Sequence, residues 1–229
     1  MLKTGRRIRV LLADDQRIMR EGLRKLLEAE DDFEVVGEVA NGREAVAKTQ
    51  QLRPAVVLMD IGMPLLNGLE AARQIRQSVP DAKVLVLSAH SEDAYVQRAM
   101  ASGAAGYLSK QTSGAVLANV IRAVAGGKVC YSPPVGQRLR QRDAQARSGE
   151  AWSGGAFARL SSREVSVLQL IAEGEANKQV AANLGICVKT VEKHRANLRR
   201  KLDIHDTASL TRYAMGAGII ESYDMVKMM

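Results

Sequence analysis

Three carboxylates, a hydroxyl and an ammonium stand where apolar, strand-like runs of this sequence end. IRVLLA is followed by Asp14 and Asp15, AVVLMD ends on Asp60, VLVLS on Ser88 and GYLSK on Lys110. Parallel α/β sheets place their sites beyond the carboxyl ends of the strands, so these five residues converge if their strands are neighbours. Crowded carboxylates either take up protons or hold a hard cation, and Mg²⁺ suits an all-oxygen set. Acids, cation, hydroxyl and ammonium at one sheet edge make a phosphoryl site. Mg²⁺ and Lys110 neutralise phosphoryl oxygens while a carboxylate attacks phosphorus. Singly, each residue reads as an ordinary cap or solvated loop residue. The chemistry lies in the combination.

To bring these residues together, the first half needs a βα repeat. Five short apolar runs, at residues 8–13, 35–39, 55–59, 84–87 and 106–108, alternate with segments of helical periodicity. Those segments begin near Arg17, Asn41, Asn67, Glu92 and Thr112. This alternation predicts a five-stranded parallel sheet with five helices over residues 1–125. Residues 126–157 lose the pattern in GG, SPP and RLRQRDAQAR and read as a flexible linker, with a short helix expected near 135–146. From 158 to 229 strand signals disappear and apolar spacing becomes helical, which predicts a small all-α domain. The fold class is therefore α/β plus all-α.

Composition agrees with two modest domains. Only 3% of the 229 residues are aromatic, so the core must rest on aliphatic side chains. No apolar run approaches transmembrane length, the N-terminus lacks the pattern of a secretory signal, and Cys130 and Cys187 lack partners at metal-site spacing. A reduced, cytoplasmic protein without a membrane partner is expected. Net charge is +8, with +2 over residues 1–125 and +3 over each of 126–155 and 156–229. That balance suits a polyanionic partner.

With Asp14 and Asp15, Asp60 within MDIGMPLLNG, Ser88, Tyr107 and Lys110, residues 8–125 resemble the receiver domain of bacterial response regulators. The resemblance implies a flavodoxin-like (βα)5 fold and makes Asp60 the phosphoacceptor. Asp14, Asp15, Asp60 and the Gly62 carbonyl become the Mg²⁺ ligands, with Asp15 as a direct one. It further implies that Ser88 and Lys110 bind the phosphoryl group, that Tyr107 reorients with Ser88 as the switch, and that Pro64 and Gly68 shape the loop after the phosphorylated strand. Gly62 and His90 occupy the positions that tune phosphoryl lifetime in this family.

The second half has its own grammar. Ser161 or Ser162 with Glu164 offers capping to a first helix that Gly174 ends, Asn177 caps a second helix, and Gly185 turns the chain into a third, Val188–Leu202. Two helices about a Gly-containing turn form a helix-turn-helix, whose second helix enters the major groove of DNA. That helix carries Lys189, Lys193, Arg195, Arg199, Arg200 and Lys201 on one side, with Val191, Leu198 and Leu202 on another. The order LSSRE, NKQVAANLGI, KTVEKHRANLRRKL resembles the LuxR-type four-helix DNA-binding domain of the NarL/FixJ response regulators. Over 176–195 it is the helix-turn-helix proper. Lys189, Thr190, Glu192, Lys193, Ala196, Arg199 and Arg200 are then expected to face bases or phosphates. Cys187 departs from the family, which places a Ser or Thr cap there.

The resemblance implies a transcription regulator whose dimerisation and sequence-specific binding to double-stranded DNA are switched by a sensor histidine kinase, with RNA polymerase as a further partner. A Mg²⁺-dependent phosphatase built on Asp60 is the enzymatic alternative, but Gly62 stands where such an enzyme needs a second acid. A third alternative is a constitutive DNA-binding protein with an inert receiver.

Overall fold

Short buried strands alternate with amphipathic helices through the first half of the chain: β1 (Ile8–Ala13), α1 (Arg17–Glu28), β2 (Phe33–Val39), α2 (Gly42–Leu52), β3 (Val56–Asp60), α3 (Gly68–Ser78), β4 (Lys83–Ser88), α4 (Asp93–Ser102), β5 (Gly106–Ser109) and α5 (Gly114–Ala125). The computed structural model describes residues 7–89, 93–131 and 159–220. His90 and the helix expected near 135–146 lie outside the described residues. Helix starts are fixed by capping side chains: Asn41 accepts from the Glu44 amide and Asn67 from the Glu70 amide.

With β6 (Cys130–Tyr131) at one edge, all strands pair in parallel in the order β2-β1-β3-β4-β5-β6. The chain order reverses between β1 and β3, so the crevice at their carboxyl ends is the place where such a sheet binds ligands. Every β3 residue is buried, as expected of a strand covered on both faces. Leu11, Val57, Met59 and Val86 pack one way, with Ala71, Ile75 and Val96 of α3 and α4. Val10, Leu12, Leu58, Leu85 and Leu108 pack the other way, with Leu23, Leu27, Leu117 and Ile121 of α1 and α5.

The sheet has six strands rather than five. β6 (Cys130–Tyr131) adds to the edge beside β5, with Gly106 opposite Cys130 and Tyr107 opposite Tyr131. Two residues are too few to show a period of two in the sequence. The pairing depends on Gly106, where a Cβ would overlap the Cys130 carbonyl.

The helical half comprises α6 (Ser162–Ala172), α7 (Asn177–Leu184), α8 (Val188–Leu202) and α9 (Thr207–Gly216). Ser161 and Glu164 close a reciprocal capping box on α6. The N-cap of α7 is Ala176, not Asn177; the Gln179 side chain accepts from the Ala176 amide, and Asn177 is already helical. Gly185, at φ +63, ends α7 and makes the turn into α8. Val167, Leu168, Ile171, Val180, Val191, Leu198 and Leu210 form the core of these four helices. Among the described residues no helix is long and apolar enough to cross a membrane.

Candidate functional site

The turns after β1, β3, β4 and β5 bring the predicted constellation to one edge of the sheet. Asp14 and Asp60 are each 2% exposed. Lys110 places its ammonium between them, 3.0 Å from Asp14 Oδ2 and 3.0 Å from Asp60 Oδ1. Burial disfavours that ammonium, but the Asp60 and Asp14 carboxylates outweigh it and hold Lys110 above its ordinary pKa. Ser88 is fully buried at the end of β4, and its carbonyl accepts from the Lys110 amide at 2.8 Å. Tyr107, 1% exposed, lies opposite Val86 within the α3/α4 core, against which Tyr95 and Tyr131 also pack.

Carboxylate oxygens of Asp14, Asp15 and Asp60 lie within 4.8 Å of one another. Opposite ligands of an octahedral Mg²⁺ stand about 4 Å apart, so small side-chain rotations close this set on the ion. The residues fit the metal. Two backbone features hold the geometry. Arg20 of α1, anchored on Glu38, donates to the Asp14 carbonyl at 2.6 Å, and Asp14 Oδ1 accepts from the Gln16 amide at 2.8 Å. Gly68 allows α3 to start against β3, since a Cβ there would overlap the Asp60 carbonyl. Arg20 carries no signal in the sequence that separates it from the other arginines of α1.

In the helical domain, α8 buries Val191 and Leu198 and leaves Lys189, Glu192, Lys193, Ala196, Arg199 and Arg200 exposed on its outer side. Glu192, Ala196 and Arg199 line an open cleft with Asn177 and Arg195. Two of the basic residues hold the domain together instead. Arg195 donates to Asn177 Oδ1 at 2.7 Å and reaches Thr207, tying α8 to α7 and α9. Lys201 donates to Glu164 Oε2 at 2.7 Å and to the Arg159 carbonyl. At the N-cap of α8, Cys187 makes no side-chain bond to the helix backbone; its thiol lies 3.0 Å from the Thr190 hydroxyl, chiefly for which reason it sits below the ordinary thiol pKa.

Residues 10–122 match the response regulator receiver domain family, and residues 158–214 match the bacterial regulatory proteins of the luxR family. The VraR response regulator of Staphylococcus aureus is 36% identical over 214 residues, covering 93% of this chain and 99% of its own. The chain belongs to the two-component response regulators. It joins a receiver domain to a LuxR-type DNA-binding domain, and its family is one of DNA-binding regulators rather than enzymes, which removes the phosphatase alternative. Receivers of this family typically bind Mg²⁺ at an acidic pocket, and this chain holds an acidic cluster of Asp14, Asp15 and Asp60 at the corresponding sheet edge. A LuxR-family response regulator from Aurantimonas aligns at TM-score 0.57 and 34% identity over 60% of this chain and 99% of its own. RcsB of Salmonella enterica serovar Typhimurium, solved bound to the rprA promoter in the presence of phosphomimetic BeF3⁻, aligns at TM-score 0.59 and 25% identity, covering 90% of this chain and 98% of its own.

Proposed function

We propose that Asp60 of this response regulator accepts a phosphoryl group from a sensor histidine kinase in the cytoplasm. The modification switches homodimerisation and sequence-specific binding of α8 to double-stranded DNA, so regulating transcription by RNA polymerase. In the transfer, an Asp60 carboxylate oxygen forms the new O–P bond as the P–N bond of the kinase phosphohistidine breaks, and the electron pair leaves with the imidazole nitrogen. Asp14, Asp15, Asp60 and the Gly62 carbonyl would hold Mg²⁺, which would supply positive charge to the phosphoryl oxygens. Lys110 pairs with the same oxygens, Ser88 donates to them, and Tyr107 follows Ser88. Lys189, Thr190, Glu192, Lys193, Ala196, Arg199 and Arg200 face the duplex. The receiver runs on through β6 at residues 130–131, rather than ending at 125 as the sequence suggests, and the linker follows to 157 ahead of the DNA-binding domain at 158–229.

The carrying observation is the single ammonium shared by two buried carboxylates, with a third in metal-ligating reach, in a chain that also exposes a cationic helix. The DNA-bound RcsB relative supports the DNA-binding half. The test is a duplex-binding titration with and without a small phosphodonor and Mg²⁺, on wild type and Asp60→Asn. Phosphodonor should tighten binding by wild type and leave Asp60→Asn unchanged. Equal responses would remove Asp60 as the acceptor, and binding by wild type that ignores phosphodonor would leave the receiver inert.

A further inference from the structure

Gln169 of α6 is 1% exposed and points into the receiver, not into its own domain. Its Oε1 accepts from the Asn67 amide at 2.7 Å and its Nε2 donates to the Met63 carbonyl at 2.9 Å. One carboxamide thus spans the loop that runs from Asp60 to the start of α3. The same Nε2 donates to Glu173 Oε1 at 2.6 Å. A carbonyl and a carboxylate on the nitrogen side and an N–H on the oxygen side fix the orientation of the amide, because the flipped group would set oxygen against oxygen.

Three further contacts belong to the same interface. Leu65 of that loop, held at φ +65, packs against the core of the helical domain. Arg43 of α2 donates to the Asn183 carbonyl at the end of α7. Gly218, just past α9 at φ +57, lies against the Tyr95 ring of α4 so closely that a side chain there would overlap it. The interface therefore takes up α6, the end of α7 and the chain after α9. The outer face of α8 is left out of it: Lys189, Glu192, Lys193, Ala196, Arg199 and Arg200 stay exposed.

We propose that the loop after Asp60 is a docking surface for the chain's own helical domain, latched by Gln169, and that the docked chain keeps α8 open. The contact is fitted on both sides. A left-handed leucine is a costly backbone state that persists where its surroundings hold it, and the buried Gln169 carboxamide finds the donor for its oxygen and one acceptor for its nitrogen in the loop backbone, beside its bond to Glu173. The dock is thereby distinct from a lid over the reading helix.

Amide hydrogen exchange resolved at Asn67 in the full chain tests the latch, because the acceptor for that N–H is Gln169 itself. Gln169→Ala and Leu65→Asn should each speed Asn67 exchange by about tenfold or more while β3 amides keep their protection. Asparagine tolerates the left-handed conformation, so Leu65→Asn removes the apolar contact without straining the loop and guards against misfolding of α6 in the Gln169 variant. Unchanged Asn67 exchange in both variants would overturn the dock. Lys189 and Lys193 should react with an amine-directed reagent at rates within about twofold in wild type and Leu65→Asn, since neither is covered. A tenfold rise on undocking would show that the contact hides α8 and would overturn the open arrangement.

Discussion

With Asp14 and Asp60 each 3.0 Å from the same ammonium, Lys110 is the residue whose loss changes the acid site most. Its folded pKa is raised from the ordinary 10.5, so its stabilising contribution is complete below that value and fades only as pH rises through the higher folded one. The wild-type site should therefore keep this contribution across the neutral range. Lys110→Met removes the ammonium that the two buried carboxylates share, a loss of about 3 kcal/mol by comparison with other broken buried pairs. In thermal denaturation at neutral pH the deficit should be full in a chelator and shrink when Mg²⁺ is added. A deficit that ignores Mg²⁺ would mean that Lys110 acts by packing alone.

Among the elements, α6 and α8 depend on each other through one buried acid. Glu164 is buried, which disfavours its charge, but the Lys201 ammonium and the Ser161 amide and hydroxyl hold it below its ordinary 4.5. Its contribution is thus present above 4.5 and is lost as pH falls through the depressed folded value. Glu164→Gln should cost about 1–3 kcal/mol at neutral pH, through loss of charge-assisted bonds to the cap and to Lys201, and should flatten the acid limb of a pH-dependent melt. Lys201 and Lys193 belong to one basic helix but to different physics. Lys193 is exposed, and on the reading proposed above Lys193→Ala should weaken binding similarly across duplex sequences and lower the slope of log K against log salt by about 0.9, one phosphate contact. Gel-shift titrations over a salt series check this, and an unchanged slope would remove Lys193 from the interface.

At the scale of the molecule, an uncovered α8 shifts where phosphorylation can act. If the reading helix is open in the docked chain, the gain in DNA affinity has to come from pairing two copies on two half-sites. In sedimentation velocity, BeF3⁻ with Mg²⁺ should convert wild type from monomer to dimer and leave Asp60→Asn monomeric; a monomer that binds DNA more tightly after treatment would argue for unmasking instead. The division of labour between sequence and tertiary structure follows the range of the forces involved. Strand and helix order, the caps Asn41 and Asn67, a cap at Ser161 or Ser162, the turn at Gly185 and the convergence of Asp14, Asp15, Asp60 and Lys110 at one sheet edge were legible, because each rests on a local pattern or on a strand end. The two-residue β6 was not legible, since its pairing depends on the space above Gly106. Nor were the separate duties of Arg195 and Lys201, which became structural only when partners 18 and 37 residues away came into reach. Gln169 lies 102 residues from Asn67. In the sequence it is one polar position of an amphipathic helix, and only the docking of two domains makes its amide the partner of the loop behind the phosphoacceptor.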